Sequence, residues 1–199
     1  MKALVLSDLQ GIEYREWMRF LSLDSGLFDI ILFLGDIDQM YLKVITEKFP
    51  SKPKLGVLGN HDFSGDLEYF GIENIHGKMK VINGIAIAGV EGSIKYKKEE
   101  APMLTQEEAT IICEQLPKAD LLISHNSPYG IHDKSDMAHE GFMGLRTYIS
   151  QKEPKYLIHG HQHSAKNTRV GNTDVIGIFG GVIFDLTNGN QLRVLEVLD

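Results

Sequence analysis

The sequence holds one cysteine, Cys113, so no intrachain disulfide can form. That suits a reducing, cytoplasmic setting rather than a disulfide-stapled secreted domain. It also has no uninterrupted apolar stretch approaching the roughly 18 residues of a membrane span. The first apolar run, Ala3 to Leu6, meets Ser7-Asp8 too soon to act as a signal-peptide core. Basic residues are in the minority: 20 Lys+Arg stand against 27 Asp+Glu, a formal net charge of -7. A stable complex with nucleic acid or an anionic membrane needs a basic face, so neither partner is expected. A small phosphate-bearing substrate stays open, because bound cations would reverse the local field. Repeats, low-complexity tracts and linkers are absent as well, which predicts a single domain over residues 1–199.

What is present is a recurring pattern. Short apolar runs end in polar clusters: Ala3 to Leu6 at Ser7-Asp8, Ile30 to Leu34 at Gly35-Asp36, and Leu55 to Leu58 at Gly59-Asn60-His61-Asp62. Leu121 to Ile123 ends at Ser124-His125, and Tyr156 to Ile158 at His159-Gly160-His161. Such runs read as strands buried on both faces. Between them, Glu13 to Leu23, Tyr41 to Phe49, Thr105 to Leu116 and Gly141 to Gln151 have helical character. The third opens with a Thr-x-x-Glu capping box, Thr105 and Glu108. Strand–helix alternation predicts parallel pairing with crossover helices. Val81 to Val90, broken at Asn83-Gly84, reads as a hairpin. The last third, from Ala165 to Val197, has four short runs divided by Gly/Asn turns and reads as an antiparallel meander. The expected fold class is α/β: a four-layer α/β/β/α sandwich, two mixed β-sheets flanked by helices. The charged run Lys95 to Glu100 reads as a solvated loop, and the stretch Asn126 to Glu140 as a long functional loop.

The residues at those strand ends are metal-ligand types: Asp8, Asp36, Asn60, His125, His161 and, nearby, His163. In α/β sheets the carboxyl ends of neighbouring strands define the ligand crevice, so residues distant in sequence converge there. Two divalent ions about 3.5–4 Å apart need a bridging carboxylate, for which Asp36 is the natural choice. Imidazole and carboxylate donors suit Mn first, with Fe, Ni, Co or Zn as alternatives, over an all-oxygen Mg or Ca cage.

The ordered set resembles the calcineurin-like metallophosphoesterase superfamily, whose pattern is Asp-x-His, Gly-Asp, Gly-Asn-His-Asp/Glu, a lone His, and Gly-His-x-His. Here it reads Asp8-Leu9-Gln10, Gly35-Asp36, Gly59-Asn60-His61-Asp62, Ser124-His125 and Gly160-His161-Gln162-His163. The resemblance implies a metal-dependent phosphoesterase cleaving a phosphodiester, or a phosphomonoester, with a metal-bridging hydroxide as nucleophile. One ion would be held by Asp8, Asp36, His163 and whatever Gln10 provides; the other by Asp36, Asn60, His125 and His161. His61 would serve as proton donor to the leaving group, with Asp38 or Asp62 supporting it. Gln10 departs from the family's histidine and should weaken its site or favour a harder ion such as Mn. It also supports a rival expectation, a metal-binding regulatory or interaction module with weak or no turnover. Gln39 and Leu58 stand where the superfamily's protein phosphatases carry arginines, which favours a diester over a monoester dianion. The other histidines, His76, His132, His139 and His159, match no ligand position and are expected in ordinary loop or strand-end roles.

Overall fold

A computed structural model gives the fold and describes residues 1–98 and 101–197. Strand β1 (Lys2–Ser7) leads to helix α1 (Tyr14–Leu21), and β2 (Ile30–Phe33) to α2 (Gln39–Lys48). Then come β3 (Lys54–Gly56), α3 (Asp66–Tyr69), β4 (Glu73–Asn74) and the hairpin β5 (Met79–Ile82) with β6 (Ile85–Val90). A small parallel pair, β7 (Ser93–Ile94) and β8 (Met103–Leu104), precedes α4 (Gln106–Gln115). The chain continues through β9 (Leu121–Ser124), α5 (Met143–Lys152), β10 (Tyr156–His159), β11 (Lys166–Val170), β12 (Thr173–Gly177), β13 (Gly180–Asp185) and β14 (Gln191–Leu195).

These strands form two six-stranded mixed sheets, ordered β14-β13-β1-β2-β3-β4 and β11-β12-β10-β9-β6-β5. Alternation along β1 explains the layering, since successive side chains of a strand point to opposite faces. Ala3 and Val5 face the second sheet, in a core shared with Leu32, Val57, Leu121, Ile158 and Phe184. Leu4 and Leu6 face outward, where Phe20, Tyr41, Ile45 and Phe49 cover them from α1, α2 and the residue that follows it. On the far side α4 and α5 lay Ala109, Cys113, Leu145 and Tyr148 against Leu122 and Leu157. Each fully buried aliphatic side chain contributes about 1.5–3 kcal/mol, so a strand buried on both faces is anchored twice. The expected four-layer sandwich is the observed one.

The capping box at the start of α4 is present, with Thr105 Oγ1 accepting from the Glu108 N–H at 3.1 Å and Glu108 accepting from the Thr105 N–H at 2.8 Å. Cys113 lies on that helix, buried as expected, with its thiol pushed up to about 12 by that burial. The C-terminal meander is corrected. β11 and β12 form one hairpin, and β13 and β14 another, but β12 pairs in parallel with β10 while β13 pairs antiparallel with β1. The turn between β12 and β13 therefore carries the chain from one sheet to the other. Turn signals look alike whether the next strand joins the same sheet or the facing one, which is why the runs read as a continuous meander. The charged run at Lys95 ends at Glu99 and Glu100, which lie outside the described residues. No helix among the described residues is long and apolar enough to cross a membrane.

Candidate metal centre

The carboxyl ends of β1, β2, β3, β9 and β10 meet at one edge of the sandwich. Gly35, just after β2, has φ +90, and a Cβ there would strike the backbone of Gly59 and Leu58. That absence of a side chain lets the loops after β2 and β3 run side by side. The Asp62 carboxylate then ties them together, accepting from the N–H groups of Gly59 at 2.7 Å, Asp36 at 2.9 Å and Ile37 at 3.1 Å. Burial and the nearby Asp36 charge push Asp62 up to about 6, against the pull of those N–H donors.

Asp36, His125 and His161 each offer one donor atom, and the three atoms lie within 4.8 Å of one another. The His125 Nδ1–H donates to the Leu34 carbonyl at 2.7 Å, which turns Nε2 toward Asp36 Oδ2 at 3.4 Å and Asn60 Oδ1 at 3.2 Å. His161 is fixed in the opposite sense: its Nε2–H donates to the Ala138 carbonyl at 2.8 Å, leaving Nδ1 as the donor atom. A backbone carbonyl can only accept, so each bond selects a tautomer, as at the outer shell of metal sites. All three cluster residues are buried, and so is Asn60.

Asp8 sits on the other side of the cluster. Its Oδ2 accepts from Ser7 Oγ at 2.6 Å and from the His161 N–H at 3.0 Å. Its Oδ1 is buried without a hydrogen-bond partner, and His163 Nε2 lies 3.6 Å from it. The His163 ring stacks on Phe179 with centroids 4.9 Å apart.

The charge balance calls for a cation. Burial, with the Asp36 charge, raises the Asp8 carboxyl above its usual range despite opposing pulls from His125, Ser7 and His163. Burial works against the Asp36 carboxylate too, but the charge and hydrogen bond of His125 and the His61 N–H at 2.8 Å hold it well below that range. Burial would lower His125, yet the Asp36 and Asp8 carboxylates raise it to about 9. Burial and the His125 charge bring His161 down to about 3. Two buried carboxylates, an orphaned carboxylate oxygen and a converging ring nitrogen and amide oxygen fit divalent metal ions.

The sequence-predicted residues divide into two groups. Asp8, Asp36, Asn60, His125, His161 and His163 come together. Gln10 is exposed and makes no hydrogen bond among the described residues. His61 is exposed at the mouth of the cluster, its backbone anchored to Asp36. Neither Asp38 nor Asp62 hydrogen-bonds its ring: Asp38 is exposed at the start of α2, and Asp62 is committed to three backbone donors. The support expected for His61 from these residues is therefore absent from this geometry.

Three of the histidines without a ligand position have more than loop roles. His132 Nδ1 meets His159 Nε2 at 2.9 Å, and His139 stacks over His161 with its Nδ1 held by Asp136 at 2.7 Å. Ser7, Gln162 and the carbonyls of Leu34 and Ala138 were not legible as site residues. Only Gln162 had a signal, its place between the two histidines of Gly-His-x-His; it donates to Ser127 Oγ and to the His139 carbonyl.

Residues 1–192 match the family model for the calcineurin-like phosphoesterase superfamily domain. The chain belongs to that superfamily. No curated protein matches it. Among solved structures, the chain resembles TT1561 of Thermus thermophilus, with 18% identity, a TM-score of 0.70, and 97% of this chain and 98% of that one covered. It also resembles the phosphopantetheinyl hydrolase of Mycobacterium tuberculosis, with 12% identity, a TM-score of 0.63, and 90% and 89% covered. A third is an archaeal phosphodiesterase, with 12% identity, a TM-score of 0.57, and 98% and 100% covered. At these identities the likeness is one of fold. Membership makes this calcineurin-like chain a metal-dependent phosphoesterase by family, with Asp36, His125 and His161 as its candidate metal site.

Proposed function

We propose that this calcineurin-like phosphoesterase is a dinuclear phosphodiesterase acting on a small phosphoester. Asp8, Asp36 and His163 would hold one ion, with Gln10 or a water it orients completing the set; Asp36, Asn60, His125 and His161 would hold the other. Mn is the first choice for these donors, with Fe, Ni, Co or Zn behind it. When bound, the ions supply a water-derived nucleophile at neutral pH and neutralise charge on the phosphoryl oxygens. The chain's own part is to orient and to transfer a proton. His61, anchored through its N–H to Asp36, protonates the leaving alkoxide. Asp62 keeps Asp36 and Asn60 in register through its three backbone donors. A diester is favoured because Leu58 is buried and Gln39 donates to Asp66 at 2.8 Å, so neither supplies the second charge a monoester dianion needs. The net charge of -7 argues against nucleic-acid and membrane partners, which call for a basic face, and with the single Cys113 it favours the cytoplasm.

The observation that carries this reading is the clustering of Asp36, His125 and His161 donor atoms, with His125 Nε2 at 3.4 Å from Asp36 Oδ2 and 3.2 Å from Asn60 Oδ1, together with a buried Asp8 Oδ1 that has no hydrogen-bond partner. The test is hydrolysis of bis(p-nitrophenyl) phosphate and p-nitrophenyl phosphate by chelator-stripped protein with Mn, Ni or Zn restored. Metal-dependent cleavage that favours the diester is expected, abolished by Asp36→Ala and cut at least about 100-fold by His61→Ala. Stoichiometric metal binding without turnover of either ester would overturn it. The exposed, unbonded Gln10 favours one second reading, a metal-binding regulatory module of the same fold, and that result would select it.

A further inference from the structure

A groove of about 610 Å³ runs beside the candidate centre, lined by Leu58, Asp62, Phe63, Lys95, Lys98 and Pro102, among others. That volume falls within the usual range for small-molecule sites. Both walls are tied to candidate ligands. On one side Leu58 leads into Gly59-Asn60, and Phe63 follows His61-Asp62. On the other, Glu91 and Gly92 follow Val90, whose carbonyl accepts from the His125 N–H at 3.2 Å, and the Gly92 N–H donates to the Leu58 carbonyl at 2.7 Å. The walls are therefore fixed relative to the centre.

The groove's chemistry is specific. Phe63 is 70% exposed, an unusual state for a phenyl ring, although its backbone is held in place by the Phe63 N–H bond to Asp66 Oδ2 at 3.2 Å. Asp66 is itself fixed by Gln39. The two carboxylates in the lining are already engaged. Asp62 takes three backbone donors, and Glu91 accepts from Asn74 Nδ2 at 3.4 Å and lies 3.9 Å from His76 Nε2. Lys95 and Lys98 are exposed and line the groove; neither lies within ion-pair distance of a described carboxylate, although Glu108, whose carboxyl the Thr105 hydrogen bonds lower, is close enough for Lys95 to lower it further. The other large groove near the centre, of about 700 Å³ along the Tyr129–Glu140 loop, is lined by Asp133, Asp136 and Glu140 against Lys134 alone. Its sign is wrong for a phosphate ester.

Building on the phosphodiesterase reading, we infer that this groove is the subsite for the leaving arm of the substrate, and that the arm is nucleotide-like: an aromatic ring for Phe63 and a further anionic group for Lys95 and Lys98. Phe63 lies two residues after His61, the proposed proton donor to the leaving alkoxide, so an alcohol protonated there enters the groove with its ring toward Phe63. Stacking on an exposed aromatic contributes about 1–3 kcal/mol per base, which corresponds to roughly 5- to 150-fold in affinity.

The Mn-restored full-length protein should be compared with Phe63→Ala and with Lys95→Gln/Lys98→Gln on two readouts. One is hydrolysis of the dinucleotide 5′-pApA at its internal diester, where the departing 3′-alcohol carries both a base and a 5′-phosphate, and the other is calorimetric binding of adenosine 5′-monophosphate, the same arm once released. Each variant should raise KM for the ester by about tenfold while kcat changes by less than about twofold, and should weaken nucleotide binding by about tenfold. Phe63→Tyr should restore both. Unchanged KM and unchanged nucleotide affinity in both variants would overturn the inference, as would a loss confined to kcat. If no ester is hydrolysed yet the variants still weaken nucleotide binding, the groove stands and the phosphodiesterase reading falls.

Discussion

Without a metal, the His125 ring holds a proton at neutral pH, because the Asp36 and Asp8 carboxylates raise it to about 9 against the cost of burial. That proton occupies the position a cation would take, since Nε2 points at Asp36 Oδ2 and Asn60 Oδ1. A metal that uses Nε2 must displace it. The sign follows directly. Below pH 9 the proton competes, so metal affinity rises with pH, about tenfold per unit, and levels off once the ring is neutral. At pH 7 the ring lies below its midpoint, which costs metal binding on the order of 100-fold. Titration calorimetry of Mn in buffers of different ionisation enthalpy measures the protons released. About one proton per ion entering this site is expected at pH 7. Asp36→Asn removes the charge that holds the proton and should lower both the release and the affinity. A release near zero in the unmodified protein, or an affinity that does not change between pH 6 and 8, would refute the assignment of Nε2 as a ligand.

Three further outcomes are expected. Gln10→His should raise metal affinity or turnover with Mn or Zn, read from metal stoichiometry and diester hydrolysis; a fall in both would remove Gln10 from the site. Asp62→Ala leaves the N–H groups of Asp36, Ile37 and Gly59 without their shared acceptor, and should destabilise the fold by about 3 kcal/mol in denaturant unfolding, with metal affinity falling in parallel. His159 is buried, and burial brings it down to about 3. The unfolded chain therefore takes up a proton below about pH 6.5 that the folded chain refuses. Stability contributed by neutral His159 is present above pH 6.5 and lost as pH falls toward 3, and unfolding free energies across that window should show a shallower slope in His159→Gln.

Much of the fold was legible because its strands bury both faces. Runs such as Ile30 to Leu34 leave little room for a reading other than a central strand, and the polar residues that stop them mark the sheet's carboxyl edge. Six of the seven candidate ligands were found that way. What stayed hidden depends on pairing rather than pattern. The turn after β12 gives no sign of changing sheets, because strand partners are set by the packing of distant segments. Support for the site comes from the carbonyls of Leu34 and Ala138, and every residue carries a carbonyl, so no side-chain motif can announce them. Asp62 was legible as a site residue but not in its role: adjacency to His61 suggested a side-chain pair, while the tight turn sends its carboxylate to backbone donors.

The backbone at the ligands gives this hidden support its purpose. Asp8, Asp36, His161 and His163 have φ of 55, 53, 64 and 46, four of the seven non-glycine residues in the left-handed region among those described. That conformation costs an L residue on the order of 1–2 kcal/mol, and it persists only where surrounding bonds fix it. Each apolar strand must stop and turn its last side chain sideways across the sheet edge, and the left-handed step makes that turn within one residue. The bonds that hold it are the ones described above: the Asp62 carboxylate on the Asp36 N–H, Asp8 Oδ2 on the His161 N–H, and the Gly35 carbonyl on the Asp8 N–H at 3.1 Å. One candidate ligand thus braces the backbone of another, since the Asp8 carboxylate accepts from the His161 N–H while the Asp8 backbone is held by Gly35. The centre is preorganised by its own donors, and the strain needed to aim them is carried by a buried core on either side of the sheet.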